Sequence, residues 1–240
     1  MRERGDRGSL LHRGQDQAFI HSSVPDLGHE LDRRLSLVKI GVLGTGVVGR
    51  TIAGKLREIG HDVLIGSRSA GDDAVPFADA AAHGELVFNC TNGNASLEAL
   101  RSAGEDNLAG KVLVDVSNAL DFSQGPPPIV GVSIDDSLGE QIQRAFPEAR
   151  VVKTLNTVNA NVMVDPSVVA GEHDVFLSGN DDEAKAQVVE LLESFGWPAD
   201  RILDLGDITA ARGQELYVAL WVRLMGAAGG ATFNIHVVTG

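Results

Sequence analysis

The chain is poor in cysteine, in aromatic side chains and in positive charge. A single cysteine, Cys90, in 240 residues excludes an internal disulfide framework and any metal site built from several thiolates. It also fits a reducing compartment. Twenty basic residues face 33 acidic ones, for a net charge of −13. Such a chain lacks the basic face with which nucleic-acid binders displace counterions, and anionic lipid would repel it. Long apolar runs are missing too. The longest near the C-terminus, residues 216–222, stops at Arg223, whereas a helix across a bilayer needs about 20 residues. The arginines near the start are mixed with acids and followed by no apolar segment, so they do not read as a secretory signal. The expectation is a soluble, cytoplasmic protein with no nucleic-acid and no membrane partner.

What is present points to a folded domain. An apolar fraction of 43 % with 22 % charged residues is that of a globular core, and the 28 glycines follow no triplet period. Residues 1–36 show little periodicity and several glycine breaks, and read as a disordered extension. Order begins at Val38. Short β-branched runs at 38–43, 62–65, 85–89, 111–116, 150–155, 173–177 and 202–205 predict strands. Between them lie helical stripes. Val48, Ile52, Leu56 and Ile59 share one face; residues 76–83 and 96–102 give two shorter helices. Ser137 and Glu140 form a capping box for a helix through Phe146. Asn180 and Glu183 make an N-cap signature before residues 184–195. Asp207 caps a long last helix with Ile208, Leu216, Leu220 and Leu224 on one side. Residues 126–128, three prolines, predict an extended loop. Alternation of strand and helix predicts an α/β fold: a Rossmann-type doubly wound parallel sheet with a C-terminal strand and helix extension. Residues 38–155 would be the nucleotide-binding core, and 156–240 would complete an acceptor pocket. Leu216, Leu220, Trp221 and Leu224 would serve either a homodimer contact or the internal core, and the sequence leaves both open.

The strongest chemical signal is Gly44-Thr45-Gly46-Val47-Val48-Gly49. It follows a buried strand and opens an amphipathic helix, the context that gives G-x-G-x-x-G its meaning. Gly44 permits the tight turn, Gly46 lets backbone approach a pyrophosphate, and Gly49 lets helix and strand pack closely. The amides of the helix start, at Val47 and Val48, carry a partial positive charge toward phosphate. Which dinucleotide is bound depends on the end of the second strand. An NAD site places a carboxylate there for the ribose hydroxyl. Here the residues are Gly66-Ser67-Arg68-Ser69: a guanidinium and hydroxyls suited to a 2′-phosphate, with Thr45 nearby. The reading is NADP(H) rather than NAD(H).

The ends of later strands offer neutral polar groups: Asn89, Thr91 and Asn92, then Ser117 and Asn118, then Asn156, Thr157 and Asn159. These suit a carboxamide, a ribose or a heterocycle edge. A proton donor is missing. Tyr217 is the only tyrosine, no Tyr-x-x-x-Lys pair occurs, and no histidine stands beside a carboxylate in a suggestive way. His12, His21 and His29 lack metal-ligand spacing, so no metal is expected. Hydride transfer to a carbonyl or imine usually needs a proton donor; transfer between nicotinamide and a flavin-like ring mainly needs the two rings held in contact.

These motifs resemble those of the NADP-dependent reductases of the deazaflavin coenzyme F420. The likeness rests on Gly44-x-Gly46-x-x-Gly49, Gly60-His61-x-Val63, Gly66-Ser67-Arg68, Asp115-Val116-Ser117-Asn118, the run from Val151 to Thr157, and residues 204–212. The same stretch is similar to the cytosolic oxidoreductase domain of the six-transmembrane metalloreductases. The resemblance implies that Thr45, Ser67 and Arg68 bind the 2′-phosphate of NADP. It places Asn156 and Thr157, the candidate catalytic residues, beside the nicotinamide and an acceptor ring, coenzyme F420 or FMN or FAD. Asn89, Thr91 and Asn118 complete the predicted cofactor contacts. Two other readings stay open at this point: a non-catalytic protein that senses NADP(H), and an NADPH-dependent reductase of a small carbonyl or imine.

Overall fold

β1 (Lys39–Leu43) is buried from its second residue onward, as an apolar β-branched run must be when helices cover both faces of a sheet. The computed structural model describes residues 37–239 apart from Asp72, Phe122, Pro126, Pro127 and Val132. The expected extension over residues 1–36 and two of the three clustered prolines therefore lie outside the described residues. After β1 come α1 (Val47–Glu58), β2 (Asp62–Ser67), β3 (Val75–Pro76), α2 (Phe77–His83) and β4 (Leu86–Asn89). Next are α3 (Gly93–Ala103), α4 (Glu105–Leu108), β5 (Val112–Asp115), β6 (Leu120–Asp121), β7 (Ile129–Val130) and α5 (Leu138–Ala145). Then follow β8 (Arg150–Thr154), α6 (Ala160–Val164), β9 (Val175–Gly179), α7 (Asp182–Ser194), β10 (Ile202–Asp204) and α8 (Ala211–Ala227).

Eight strands form one sheet in the order β10-β9-β8-β5-β4-β1-β2-β3, and β6 pairs with β7 apart from it. From β1 the chain moves outward through β2 and β3, then returns and moves the other way through β4, β5 and β8. That reversal creates a crevice beyond the carboxyl ends of β1 and β4, where open α/β sheets bind ligands. Side chains alternate along the strands and build a core on each face. Ile40, Val42, Phe88, Val114 and Val152 pack with α1, α6 and α7; Leu43, Val87, Leu113 and Val151 pack with α2, α3 and α5. The doubly wound α/β class is thus as the alternation predicts, and β9 and β10 join the same sheet within one unit of residues 37–240.

Three expectations need correction. β9 runs antiparallel to β8, with Thr154 opposite Leu177, although all other pairs in the large sheet are parallel. A five-residue strand is about 16 Å long, and the five-residue α6 returns only about 7.5 Å, so the chain re-enters the sheet at the end it has just left. The cap of α7 is Asp181, whose carboxylate accepts the Ala184 amide at 2.7 Å; Asn180 instead accepts the Ile208 amide at 3.1 Å. Asp207 caps a 3₁₀ turn at Ile208–Ala210 ahead of α8. The buried stripe of α8 is Ala211, Gln214, Glu215, Val218 and Val222, while Leu220 is 54 % exposed. The inward face holds a glutamine and a glutamate because its neighbours are polar, which moves the stripe out of phase with the leucines.

Candidate nucleotide and acceptor site

The three glycines of the β1–α1 turn do different work. Gly44 has φ +123°, and a Cβ there would lie 2.6 Å from the Cys90 carbonyl. A Cβ on Gly49 would stand 2.1 Å from the Gly44 carbonyl. Both are required by the protein's own packing. At Gly46 a Cβ would meet nothing within 4 Å, so the protein's own packing does not require glycine there. Gly46 also caps α1 with no side-chain bond, and the first turn contains no acid. The amides that open α1 at Val47 and Val48 are thus offered to an anion. Gly46→Ala is expected to fold and melt like the parent but to bind NADPH at least about tenfold more weakly, since a methyl group would hold the pyrophosphate off the amides. Thermal melts and a nucleotide fluorescence titration check both halves.

A cleft of about 440 Å³ extends from this turn to the end of β2, lined among others by Thr45, Gly46, Ser67, Arg68, Ser69 and Thr91. Arg68 is exposed and makes no hydrogen bond or ion pair among the described residues. By contrast, Arg50 in the first turn of α1 donates to the Thr45 carbonyl at 2.9 Å and pairs with Asp73. Ser67 donates its hydroxyl to the Ser69 carbonyl, which shapes the loop and leaves Ser67 to rotate if it is to donate to phosphate. One carboxylate, that of Glu98 on α3, also lines the cleft.

A second cleft, of about 350 Å³, shares Gly46, Cys90, Thr91 and Asn92 with the first. Its other walls include Ser117 and Asn118 after β5, Asn156, Asn159 and Met163 after β8, and Val218 and Trp221 of α8. Asn118 and Asn156 hold each other: the Asn118 amide donates to the Asn156 carbonyl at 2.8 Å, and Asn156 Nδ2 donates to Asn118 Oδ1 at 3.1 Å. Asn156 Nδ2 also donates to the Gln214 carbonyl at 3.1 Å. With its nitrogen so engaged, the buried Oδ1 of Asn156 has no partner among the described residues, an acceptor atom left for a donor. Leu155, just before it, has φ +60°, a conformation rare for a side chain of that size and typical of functional turns. The Cys90 thiol is pushed up out of its usual range by burial and, secondarily, by Asp115, so it stands neutral and lacks the nucleophilic thiolate.

Not every predicted contact reaches these clefts. Thr45, Gly46, Val47, Val48, Ser67, Arg68, Thr91, Asn118 and Asn156 line one or both, as does Gly44; Gly49 lies behind the turn. Asn89 is fully buried and spends its amide on the protein: Nδ2 on Asp115 at 2.8 Å, Oδ1 on the Thr91 hydroxyl at 2.7 Å. It supports Thr91 and lines neither cleft. Thr157 is 2 % exposed, lines neither cleft, and its buried hydroxyl has no partner among the described residues.

Beneath the second cleft lies an ionic cluster absent from the sequence-based site. Lys153, wholly buried, donates to Asp115 at 2.8 Å, to Glu215 at 2.9 Å and to the Ser117 carbonyl at 2.6 Å. Burial disfavours the ammonium, but the two carboxylates outweigh it and raise its pKa. The available signal was a lysine inside Val151-Val152-Lys153-Thr154, since charge in a buried strand must be paired. Nearby, Arg212 makes a two-pronged pair with Glu140 at 2.8 and 2.5 Å. That bond holds the Glu140 carboxyl below its ordinary value of 4.5, against an opposing effect of burial. With the folded value depressed, the native state binds fewer protons than the unfolded one in acid. The stabilisation is therefore whole above pH 4.5 and is lost as pH falls through and below it. Arg212→Met is expected to lower stability by about 1 kcal/mol at neutral pH, and the gap should close in acid. Denaturant melts across pH check it; a gap that persists unchanged in acid counts against the assignment.

Comparisons with known proteins add to this geometry. The family described as NADP oxidoreductase, coenzyme F420-dependent, matches residues 39–119. A crystal structure of an Arthrobacter sp. FB24 protein assigned to F420-dependent NADP reduction shares 52 % identity and a TM-score of 0.79, over 84 % of this chain and 100 % of that one. The F420-dependent NADP reductase of Methanocaldococcus jannaschii is 26 % identical over 78 % of this chain and 92 % of its own length. Metalloreductase STEAP3 of Rattus norvegicus is 30 % identical over 74 % of this chain and 36 % of its own length, so the chain spans about a third of that relative. Among the described residues no helix is long and apolar enough to cross a membrane, and no three or more His, Cys, Asp or Glu side chains come together to hold a metal.

Proposed function

The chain belongs to the family of coenzyme F420-dependent NADP oxidoreductases, and from that premise we propose that it transfers hydride between NADP(H) and a deazaflavin ring. Arg68, with Thr45, Ser67 and Ser69, would hold the 2′-phosphate; Gly46 and the amides that open α1 would hold the pyrophosphate. When bound, the nicotinamide supplies a hydride donor or acceptor that none of the twenty side chains provides. The fit rests on the open space at Gly46, the uncapped start of α1 and a guanidinium at the end of β2 that is unpaired among the described residues.

The observation that carries the reading is the second cleft. It continues the nucleotide cleft past Gly46 and Thr91, and its described walls are apolar or neutral: asparagines, Ser117, Val218, Met163 and Trp221, with Cys90 as the one titratable group among them. Such walls have little to give a reaction that needs a general acid. They suit one in which a second planar ring is stacked, oriented and shielded from water. Asn156 Oδ1 and the Asn118 amide would set the rotation of a ring by its polar edge.

Stopped-flow mixing of enzyme and NADPH with F420, FMN, FAD and a panel of carbonyl compounds tests the proposal. Rapid NADPH oxidation with F420, and slow or none with the others, is the expected result. Oxidation by carbonyls alone would replace the proposal with a carbonyl reductase. Tight NADPH binding with no oxidation by any acceptor would replace it with a sensor.

A further inference from the structure

Resting on the hydride-transfer reading above, we propose that the buried Asp115–Lys153–Glu215 cluster is a positioning device, fixing α8 on the sheet and so setting where Asn156, Val218 and Trp221 stand around the acceptor. The cluster itself touches neither cleft. All three donors of the Lys153 ammonium are used internally. The Glu215 carboxylate also accepts the amides of Leu138 at 2.8 Å and Gly139 at 3.0 Å, the first two residues of α5. Asp115 accepts from Asn89 at 2.8 Å and from the Ser117 hydroxyl at 2.6 Å. Each of the four carboxylate oxygens has at least one donor, so the cluster ties β5, β8, α5 and α8 together by directional bonds.

Two routes lead from it to the acceptor cleft. Through Glu215 it seats α8, and the neighbouring Gln214 is held as well, accepting from Ser178 at 2.6 Å and donating to the Lys153 carbonyl at 3.3 Å. The Gln214 carbonyl in turn takes Asn156 Nδ2 at 3.1 Å. One turn further along α8 Val218 reaches the cleft, and about two turns along Trp221 does. Through Asp115 and the Ser117 carbonyl, the same ammonium holds the loop that carries Asn118. Two parts of the cleft wall, the loop after β5 and α8, are therefore referred to one nitrogen atom. The need for such a fixture is visible in α8: of 17 residues, five are buried, and two of those are Gln214 and Glu215. An apolar seam of three side chains would let the helix shift; directional bonds to a buried ion do not.

The test uses the full chain and two variants, Glu215→Gln and Glu215→Asp. Gln keeps the shape but turns an NH₂ group toward a helix amide or toward Lys153. Asp keeps the charge but draws it back by one methylene. Three quantities are measured: NADPH affinity, acrylamide quenching of tryptophan fluorescence, and the single-turnover rate with acceptor. Trp197 is 2 % exposed and bonded to the Met163 carbonyl, so quenching reports mainly on Trp221. For Glu215→Gln we expect NADPH affinity within twofold of the parent, a quenching constant at least doubled, and a single-turnover rate at saturating acceptor at least tenfold lower. Glu215→Asp should fall between. A purely structural role would reduce the number of NADPH-titratable sites while leaving quenching and rate per site unchanged, and that result overturns the proposal. So does a loss of NADPH affinity in step with the rate. If Glu215→Gln does not fold, Glu215→Asp carries the same comparison. If the parent oxidises NADPH with no acceptor, the hydride-transfer reading falls, while the quenching measurement still decides whether the cluster fixes Trp221.

Discussion

Arg68→Ala should weaken NADPH binding by about 30- to 150-fold, or 2–3 kcal/mol, and leave NADH binding within twofold. The magnitude reflects charge-assisted bonds to a phosphate dianion, each worth about 1.5–3 kcal/mol. The guanidinium is exposed and has no partner among the described residues, so it gives up no internal pairing when it binds. For the same reason its loss should leave the melting temperature unchanged, which separates a binding defect from a folding one. The surroundings sharpen the effect. With a net charge of −13 the protein repels a nucleotide carrying an extra phosphate, and Glu98 stands in the same cleft. The local cation must outweigh both. Raising the salt concentration should thus narrow the NADPH advantage of the parent and barely alter the variant. Arg68→Glu would go further and rank NADH above NADPH. Equal losses for the two nucleotides, or no loss, would remove Arg68 from the 2′-phosphate site.

The contrast between Arg68 and Asn89 separates the legible parts of the site from the rest. That the glycine turn and the residues at the end of β2 line one cleft could be read because these segments are local. A strand, a turn and a helix start are contiguous, and the loop leaving the next strand lies beside them by topology. The doubly wound sheet was legible for the same reason, as seven of its eight strands announce themselves by an apolar run; β3, two partly exposed residues at the edge, does not. Contacts between distant segments were not. Asn89 looks like a strand-end ligand, yet it points inward, because Asp115 on the adjacent strand supplies the acceptor its amide needs. Thr157 is carried inward by the left-handed turn at Leu155, which no residue preference would place on a leucine. The direction of β9 depended on the length of α6, and the phase of α8 on partners 61 to 77 residues away. Hydrophobic periodicity assumes an apolar core. It fails where the core of one helix is a lysine and its carboxylates.

That cluster yields the largest expected effect on folding. Lys153→Met fills nearly the same volume but leaves Asp115 and Glu215 facing each other, buried and without their shared cation. Removing one member of a buried ionic group costs about 3–5 kcal/mol, a large part of the roughly 5–15 kcal/mol that holds a domain together. The remaining bonds soften the loss unequally. Glu215 keeps two amides at the start of α5, and Asp115 keeps Asn89 and Ser117. Asp115 Oδ2, however, bonds only Lys153 among the described residues, so the penalty should combine mutual repulsion and a missing cation with one orphaned acceptor. A second substitution distinguishes these. Adding Glu215→Gln to Lys153→Met removes one of the two opposed charges and should restore about 1–2 kcal/mol. In the parent, the same Glu215→Gln change should be destabilising, because there it breaks a pair. A change of sign for one substitution, depending only on whether residue 153 is charged, is what coupling through the buried ammonium requires. Denaturant melts of the parent, the two single variants and the double variant measure it. If Glu215→Gln costs the same in both backgrounds, the three residues act independently and the ammonium is not what joins β5, β8 and α8.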